Sequence, residues 1–261
     1  MEILGKLKDE RFRLVRLDEN HGAAAARNAG VRASRGEFVA FQDSDDVWKR
    51  NKLEKQIAIA FQTNADIVLC RLERHGYPKG VSRIVPNMTL PAGIINYEQV
   101  LTGGLFAPPA SLVKRSVFEY ATFDEGLRFC EDEEWAIRAA FERRVVLMDD
   151  ILGDVFLQGD SVTLQNHDLN RIRLETLLER FHDQYEQYPS AHGAVLGKLA
   201  DAMTLEGDKA TAEYQKAFSL DHDPKKLLKY CLASIGVLHM IMNGRMSKRE
   251  YRTEEGETVV A

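Results

Sequence analysis

Three carboxylates fall within four positions at Asp43-Ser44-Asp45-Asp46, directly after the apolar run Phe38-Val39-Ala40-Phe41. Such a run reads as a buried strand, and carboxylates at its end are costly unless a cation meets them. In open α/β sheets, ligands gather at the carboxyl ends of strands. Asp43 and Asp45 stand one residue apart and can both reach a hard divalent ion. Mg²⁺ or Mn²⁺ held in this way bridges to phosphate oxygens. The spacing therefore points to a metal–diphosphate site at a strand end. The same tetrapeptide also suits a plain turn followed by a helix cap. An EF-hand loop starting at Asp43 is excluded, because Val47 and Trp48 stand where an oxygen ligand and the glycine belong.

Two further groups carry charge in telling places. Arg27 and Asn28 are polar residues in an alanine-rich stretch. A solvated arginine is the plain reading of Arg27; the alternative is that it faces a diphosphate or the acidic cluster, since a guanidinium forks well onto either. Glu131-Asp132-Glu133-Glu134 precedes Trp135 and Arg138. Acidic residues in a first helical turn complement the macrodipole, which accounts for Glu133 and Glu134.

The elements that must position these groups read as follows. Residues 12–17 mix apolar and basic side chains and suggest a strand. Asn20-His21-Gly22 is a turn, and residues 23–34 have strong helix propensity. In that helix Ala26, Gly30 and Ala33 form a small-residue stripe suited to close approach to a sheet. After the break at Gly36, a strand over 37–42 delivers the carboxylates. A helix over 49–62 has Leu53, Ile57 and Phe61 as its apolar face, and residues 66–71 form another buried strand. Helix and strand alternate, as in an α/β sheet. Residues 72–90 read as strands joined by loops, 97–101 as a short helix, and 110–113, 145–148 and 151–157 as strands. From residue 166 the pattern is helical, over 169–185, 192–205, 209–220 and 225–242. The expected organisation is an α/β domain over 1–164, a helical extension over 165–243 that packs on it or on a partner protein, and a polar tail over 244–261.

Bulk properties narrow the classes. The 261 residues carry a net charge of −5 spread along the chain, so there is no basic footprint for nucleic acid. Cys70, Cys130 and Cys231 show neither metal spacing nor a disulfide framework. The first residues lack a charged-then-apolar leader pattern, and no apolar run is long enough to cross a bilayer. A cytoplasmic protein is expected; the apolar run 231–242 reads first as a buried helix, and its alternative is an interfacial helix that would bring the chain to the inner face of a membrane.

The block His21-Gly-Ala-Ala-Ala-Ala-Arg27-Asn28-Ala-Gly30 is followed by Ala33-Ser-Arg-Gly36-Glu37-Phe38-Val39-Ala40-Phe41. Asp43-Ser44-Asp45-Asp46-Val47-Trp48 comes next, and then Lys52-Leu53-Glu54-Lys55-Gln56. In this order they resemble the central signature of family 2 glycosyltransferases, with the right strand and helix context. The resemblance implies an α/β, GT-A-type mixed sheet and a nucleotide-diphosphate sugar donor. It implies a divalent metal, Mn or Mg, held by Asp43 and Asp45, with Arg27, Asn28 and Asp43 at the donor. Phe123-Asp124-Glu125, a short spacer and then Glu131-Asp132 with Trp135 and Arg138 resemble the family's catalytic segment. There Asp132 would be the general base of an inverting displacement, and Glu131 would hold Asp132 or bind the acceptor. Bacterial polysaccharide or surface-glycan synthesis is the setting implied, with a glycan or lipid-linked acceptor.

The sequence departs from the family pattern in two places. Family members open with a strand, a helix and a second strand ending in an Asp-rich turn. Here Met1 stands just before residues 12–17, so an N-terminally truncated domain is expected. The loop 158–163 lacks the family's His or Arg, although His167 and Arg171 follow. Two other readings stay open: a degenerate, non-catalytic binding or scaffold protein, and a metal-dependent phosphohydrolase. The latter would want more ligands gathered than the spacings demand.

Overall fold

The computed structural model describes residues 9–76, 81–156 and 167–234, with 236, 238, 242, 250–252 and 258–260. Helix α1 (Gly22–Ala33) leads into strand β1 (Phe38–Ala40), and β2 (Val47–Trp48) precedes α2 (Lys52–Thr63). Strands β3 (Ile67–Gly76), β4 (Val81–Val85) and β5 (Gly93–Ile95) follow, then the short α3 (Tyr97–Leu101) and β6 (Ser111–Lys114). Helix α4 (Glu131–Ala140) and strand β7 (Val145–Phe156) complete the α/β part. The sheet order is β1-β6-β3-β7-β2, with β4 on the edge of β3 and β5 on β7. Among the described residues only β3 and β7 pair in parallel; the other pairs are antiparallel. The sheet is thus mixed, as expected.

The alternation of β3 divides the core. Ile67 and Leu69 join Val113, Val145 and Leu147 on one face, against α1 and α4. Val68, Cys70 and Leu72 join Leu112, Val146 and Leu152 on the other, against Ala60 of α2. Helices α5 (His167–Arg180), α6 (His182–Gln187) and α7 (Pro189–Leu205) supply Leu174, Leu177, Tyr185 and Leu199 to the first of these cores. The helical region therefore shares its packing with the sheet. Helices α8 (Thr211–Asp221) and α9 (Pro224–Ser234) lie farther along the chain.

Several expectations are corrected. Residues 12–17 form no strand, because no ladder partner lies beside them, and Phe12, Leu14 and Val15 stay exposed. The small-residue stripe of α1 does not meet the sheet; with Arg11, Arg13 and Arg35 it lines a cavity of about 560 Å³. In α2 the inward face is Lys52, Gln56 and Ala60, while Leu53, Ile57 and Phe61 are exposed. Polar burial is tolerated there because each group is bonded. Lys52 donates to Gln56 at 2.7 Å and lies over the Trp48 ring, and Gln56 donates to Val68 O and Ala110 O. The two strands expected over 145–157 are one strand with irregular register against β3. The helix over 169–185 breaks at Phe181. The loop 158–163 lies outside the described residues. In the expected tail, Glu250–Arg252 pairs with Thr258–Val260.

Where β2 crosses β7, Trp48 sits opposite Gly153. A Cβ added at Gly153 would lie 2.9 Å from Leu72 Cδ2 and 3.3 Å from Val47 O, so β2 approaches this closely only because residue 153 has no side chain. Gly153→Val is expected to push β2, and the acidic loop before it, off the sheet at a cost of about 1–3 kcal/mol. A denaturant melt should show that loss; an unchanged midpoint would mean that β2 is not held by this contact.

Candidate active site

The acidic loop is shaped by its own chain. Phe41, just after β1, packs edge-on against Phe118 and Phe123 at 5.9 and 5.5 Å. Gln42 donates to Asp46 O at 2.7 Å, and Asp46 N–H donates to Asp43 O, which closes a turn over Ser44 and Asp45. Asp46 Oδ1 accepts the Phe156 N–H at 3.3 Å. Burial, together with the charges of Asp43 and Asp45, raises Asp46 to about 6, against the pull of the Phe156 N–H and Arg74.

The second acidic group arrives through Asn28. Its side-chain amide donates to Phe123 O and Glu125 Oε1 and accepts the Phe123 N–H at 3.0 Å. Asn28 is buried with all of these groups engaged, so it clamps the chain that leads to α4. The Phe123 ring stacks on Trp135 at 4.8 Å, and the Trp135 indole N–H donates to Ala121 O. Helix α4 then opens with Glu131, Asp132, Glu133 and Glu134 in its first turn.

Arg27 joins the two groups. Its Nη1 donates to Glu131 Oε1 at 2.7 Å, and its Nη2 lies 3.6 Å from Asp43 Oδ1. The Arg27 and Glu131 side chains are only 15% and 16% exposed, whereas Asp43 is 41% exposed. Asp132, next to Glu131, accepts the Glu133 N–H at 2.9 Å. Burial, and after it the charges of Glu131 and Glu133, push Asp132 up to about 6. The structure thus brings Arg27, Asp43, Glu131 and Asp132 together, with Asp45 on the same loop as Asp43.

Two arginines without a motif of their own, Arg173 and Arg180, complete the surroundings. Glu133 accepts the Gly104 N–H and pairs with Arg173, and Glu134 is held in a fork by Arg138 with Arg180 beyond it. Arg180 also pairs with Asp124 at 2.7 Å and holds that carboxyl below the usual range. The available signal was the excess of acid at the start of α4, which requires counter-ions. Arg171 is taken up by Glu175, Glu206 and Asp208, away from the loop.

Glu73, His75 and Asp154 bring three ligand-type atoms within 4.8 Å of one another, the one such group among the described residues. Asp154 is already paired with His75 at 2.9 Å and Lys49 at 2.5 Å, and His75 stacks on Phe156. A second cavity, of about 540 Å³, is lined by Glu73, Ser82, Arg83, Asn87 and Gly104 among others. The Gly104 N–H donates to Glu133 Oε1, which brings the rim of this cavity to the first turn of α4.

The acidic loop fits a hard divalent ion. Asp43 and Asp45 offer oxygen only, and Asp45 bonds to no other described residue. Two carboxylates leave the other positions to water and phosphate oxygens, the usual arrangement for Mg²⁺. Among the described residues, no helix is long and apolar enough to cross a membrane.

Comparison with known proteins bears on the family and the fold. Residues 2–121 match the model of Glycosyl transferase family 2. Succinoglycan biosynthesis protein ExoO of Rhizobium meliloti (strain 1021) is 31% identical over 140 residues, 50% of this chain and 40% of that protein. The Escherichia coli UDP-Glc:alpha-D-GlcNAc-diphosphoundecaprenol beta-1,3-glucosyltransferase WfgD is 42% identical over 59 residues, 23% of each chain. The matched segments therefore span less than half the length of these relatives. In fold, S. aureus TarS 1-349 in complex with UDP-GlcNAc aligns with a TM-score of 0.54 and 14% identity, covering 95% of this chain and 80% of that one. The mixed sheet with its helical C-terminal part is GT-A-like, and residues 2–121, less than half of the chain, are similar to glycosyl transferase family 2.

Proposed function

We propose that the chain transfers a sugar from a nucleotide-diphosphate donor to an acceptor hydroxyl, with inversion at the anomeric carbon. The observation that carries this reading is the Arg27 bridge from Asp43 to Glu131, which sets a phosphate-type site and an acid–base site side by side. Asp132 is the general base. Ionised near neutral pH yet basic enough to accept a proton, it would take the hydrogen of the acceptor hydroxyl as the oxygen attacks. Glu131, fixed by Arg27, orients Asp132 and the acceptor. Arg27 keeps a face toward Asp43 and can share the diphosphate oxygens. Asp43 and Asp45 would hold a Mn or Mg ion, which supplies charge stabilisation of the departing diphosphate.

A glycan or lipid-linked acceptor fits the relatives, whose names place them in succinoglycan synthesis and on a diphosphoundecaprenol-linked sugar. A lipid-linked acceptor would bring the chain to the inner face of a membrane. Leu227 and Leu228, 40% and 61% exposed on α9, are the side chains that would touch that membrane or a partner protein. Glu73, His75 and Asp154 favour a second location for the ion, which His75→Ala would remove.

Calorimetric titration of the full chain with UDP and GDP, with and without Mn²⁺, tests the donor site. Metal-dependent binding should fall at least tenfold in Asp45→Ala and persist in His75→Ala. The reverse pattern would move the ion to β3 and β7. No binding to the folded chain would favour the non-catalytic scaffold.

Asp132→Asn should abolish transfer while leaving nucleotide binding intact. It should also stabilise the fold. A carboxyl raised from about 4 unfolded to about 6 folded favours folding while protonated, and that contribution is lost as pH rises through 6. The variant escapes this loss, so its gain over wild type should grow between pH 4 and 8, to about 2–3 kcal/mol. Transfer by the wild type should fall below pH 6 with a one-proton slope. A less stable Asp132→Asn at pH 8 would mean that the carboxylate is structural.

A further inference from the structure

Glu73 and His75 lie two residues apart on β3 and so share one of its sides, and Asp154 of β7 stands in register with Glu73. His75 Nε2 meets Asp154 Oδ1 at 2.9 Å, and the imidazole stacks on the Phe156 ring at 5.0 Å. Asp154 Oδ2 takes the Lys49 ammonium at 2.5 Å. Like charges in register on neighbouring strands are unfavourable unless a cation offsets them. Lys49 does so for Asp154. Glu73 makes no hydrogen bond or ion pair with another described residue, and it lines the cavity of about 540 Å³. The His75 and Asp154 side chains are 27% and 14% exposed, so the group is open to a small ion.

We propose that Glu73, His75 and Asp154 form a metal site of their own for a zinc-type ion, separate from the acidic loop, with Lys49 as a tethered cation that the metal displaces from Asp154. One imidazole with two carboxylates suits zinc, whereas the oxygen-only pair Asp43 and Asp45 suits a harder ion. Ligand atoms around a tetrahedral zinc stand about 3.4 Å apart. The three atoms here lie between 2.9 Å and 4.8 Å of one another, and Glu73, with no bond to give up, can turn to close the difference. The hydrogen between Nε2 and Oδ1 gives way to the ion, and the imidazole keeps its one hydrogen on Nδ1. The Lys49 side chain is 46% exposed, and its backbone N–H is fixed to Leu152 O, so the ammonium can swing into solvent while the backbone stays in place. Rigid neighbouring strands hold the ligands, as a metal site requires. An ion here clips β3 to β7 two residues before Phe156, whose N–H holds Asp46 of the acidic loop. The site goes beyond the transferase reading and stands even if the chain proves a scaffold.

Thermal melting and calorimetric titration of the untagged full chain with Zn²⁺, and separately with Mg²⁺, test the site. Zn²⁺ should raise the melting temperature of the wild type and of Asp45→Ala alike, and Mg²⁺ should not do so in Asp45→Ala. His75→Ala and Glu73→Gln should each bind Zn²⁺ roughly tenfold more weakly, or not at all. Glu73→Gln gives up no bond to a described residue, so it separates loss of the site from loss of the fold. Lys49→Met should bind Zn²⁺ roughly twofold to fivefold more tightly than the wild type, the strength of an exposed ion pair. An equal Zn²⁺ response in Glu73→Gln and wild type, or none in either, overturns the site. Loss of the response in Asp45→Ala would put the ion on the acidic loop and overturns it as well. Weaker Zn²⁺ binding in Lys49→Met would make the lysine a support of the group, and overturns the displacement. The donor site is judged separately, by UDP binding to Asp45→Ala in the presence of Mn²⁺.

Discussion

One ion pair makes the site a single object. Seven acidic residues, Asp43, Asp45 and Asp46 on one segment and Glu131 to Glu134 on another, approach each other across the top of the sheet. Repulsion between the two groups would drive them apart in the low-dielectric space behind Arg27. The guanidinium between Glu131 and Asp43, over the Phe123 ring, supplies attraction to both. Because Arg27 and Glu131 are mostly buried, the pair is screened less than a surface bridge. Removing one partner would leave a buried charge, which is far worse than never having placed it.

That constraint extends outward. Asn28 follows Arg27 by one residue and fixes the backbone at Phe123, so the helix that carries Arg27 also sets the entry to α4. On its far side α4 is held by arginines from α5: Arg173 on Glu133 and Arg180 on Glu134 and Asp124. The helical region, with Leu174, Leu177 and Tyr185 in the main core, therefore acts as the outer wall of the acidic helix.

Local chemistry was legible in the sequence, and long-range partnership was not. The strand that ends at the carboxylates, the helix α1 and the acidic first turn of α4 were all readable from residue type and spacing. Arg27 stood out as a charge in an alanine-rich helix, but that it meets Glu131, more than a hundred positions away, follows only from the fold. The face of α2 was misread because apolar periodicity pointed to Leu53, Ile57 and Phe61. Lys52 and Gln56 won the inward positions by satisfying one another and the carbonyls of Val68 and Ala110, which a hydropathy pattern does not register. Residues 12–17 have strand-like composition, yet a strand exists only where a neighbour completes its ladder.

The inward face of α2 bears on accuracy of placement more than on strength. An apolar helix can slide or roll on a sheet with little change in buried area. Gln56 instead ties α2 to the carbonyls of Val68 and Ala110, one on β3 and one just before β6, while Lys52 ties it back to Trp48 of β2. These bonds tolerate displacements of only a few tenths of an ångström before their geometry fails. The helix thus behaves as a gauge block: it fixes the separation of three strands, and with it the height at which the turn between β1 and β2 holds its carboxylates.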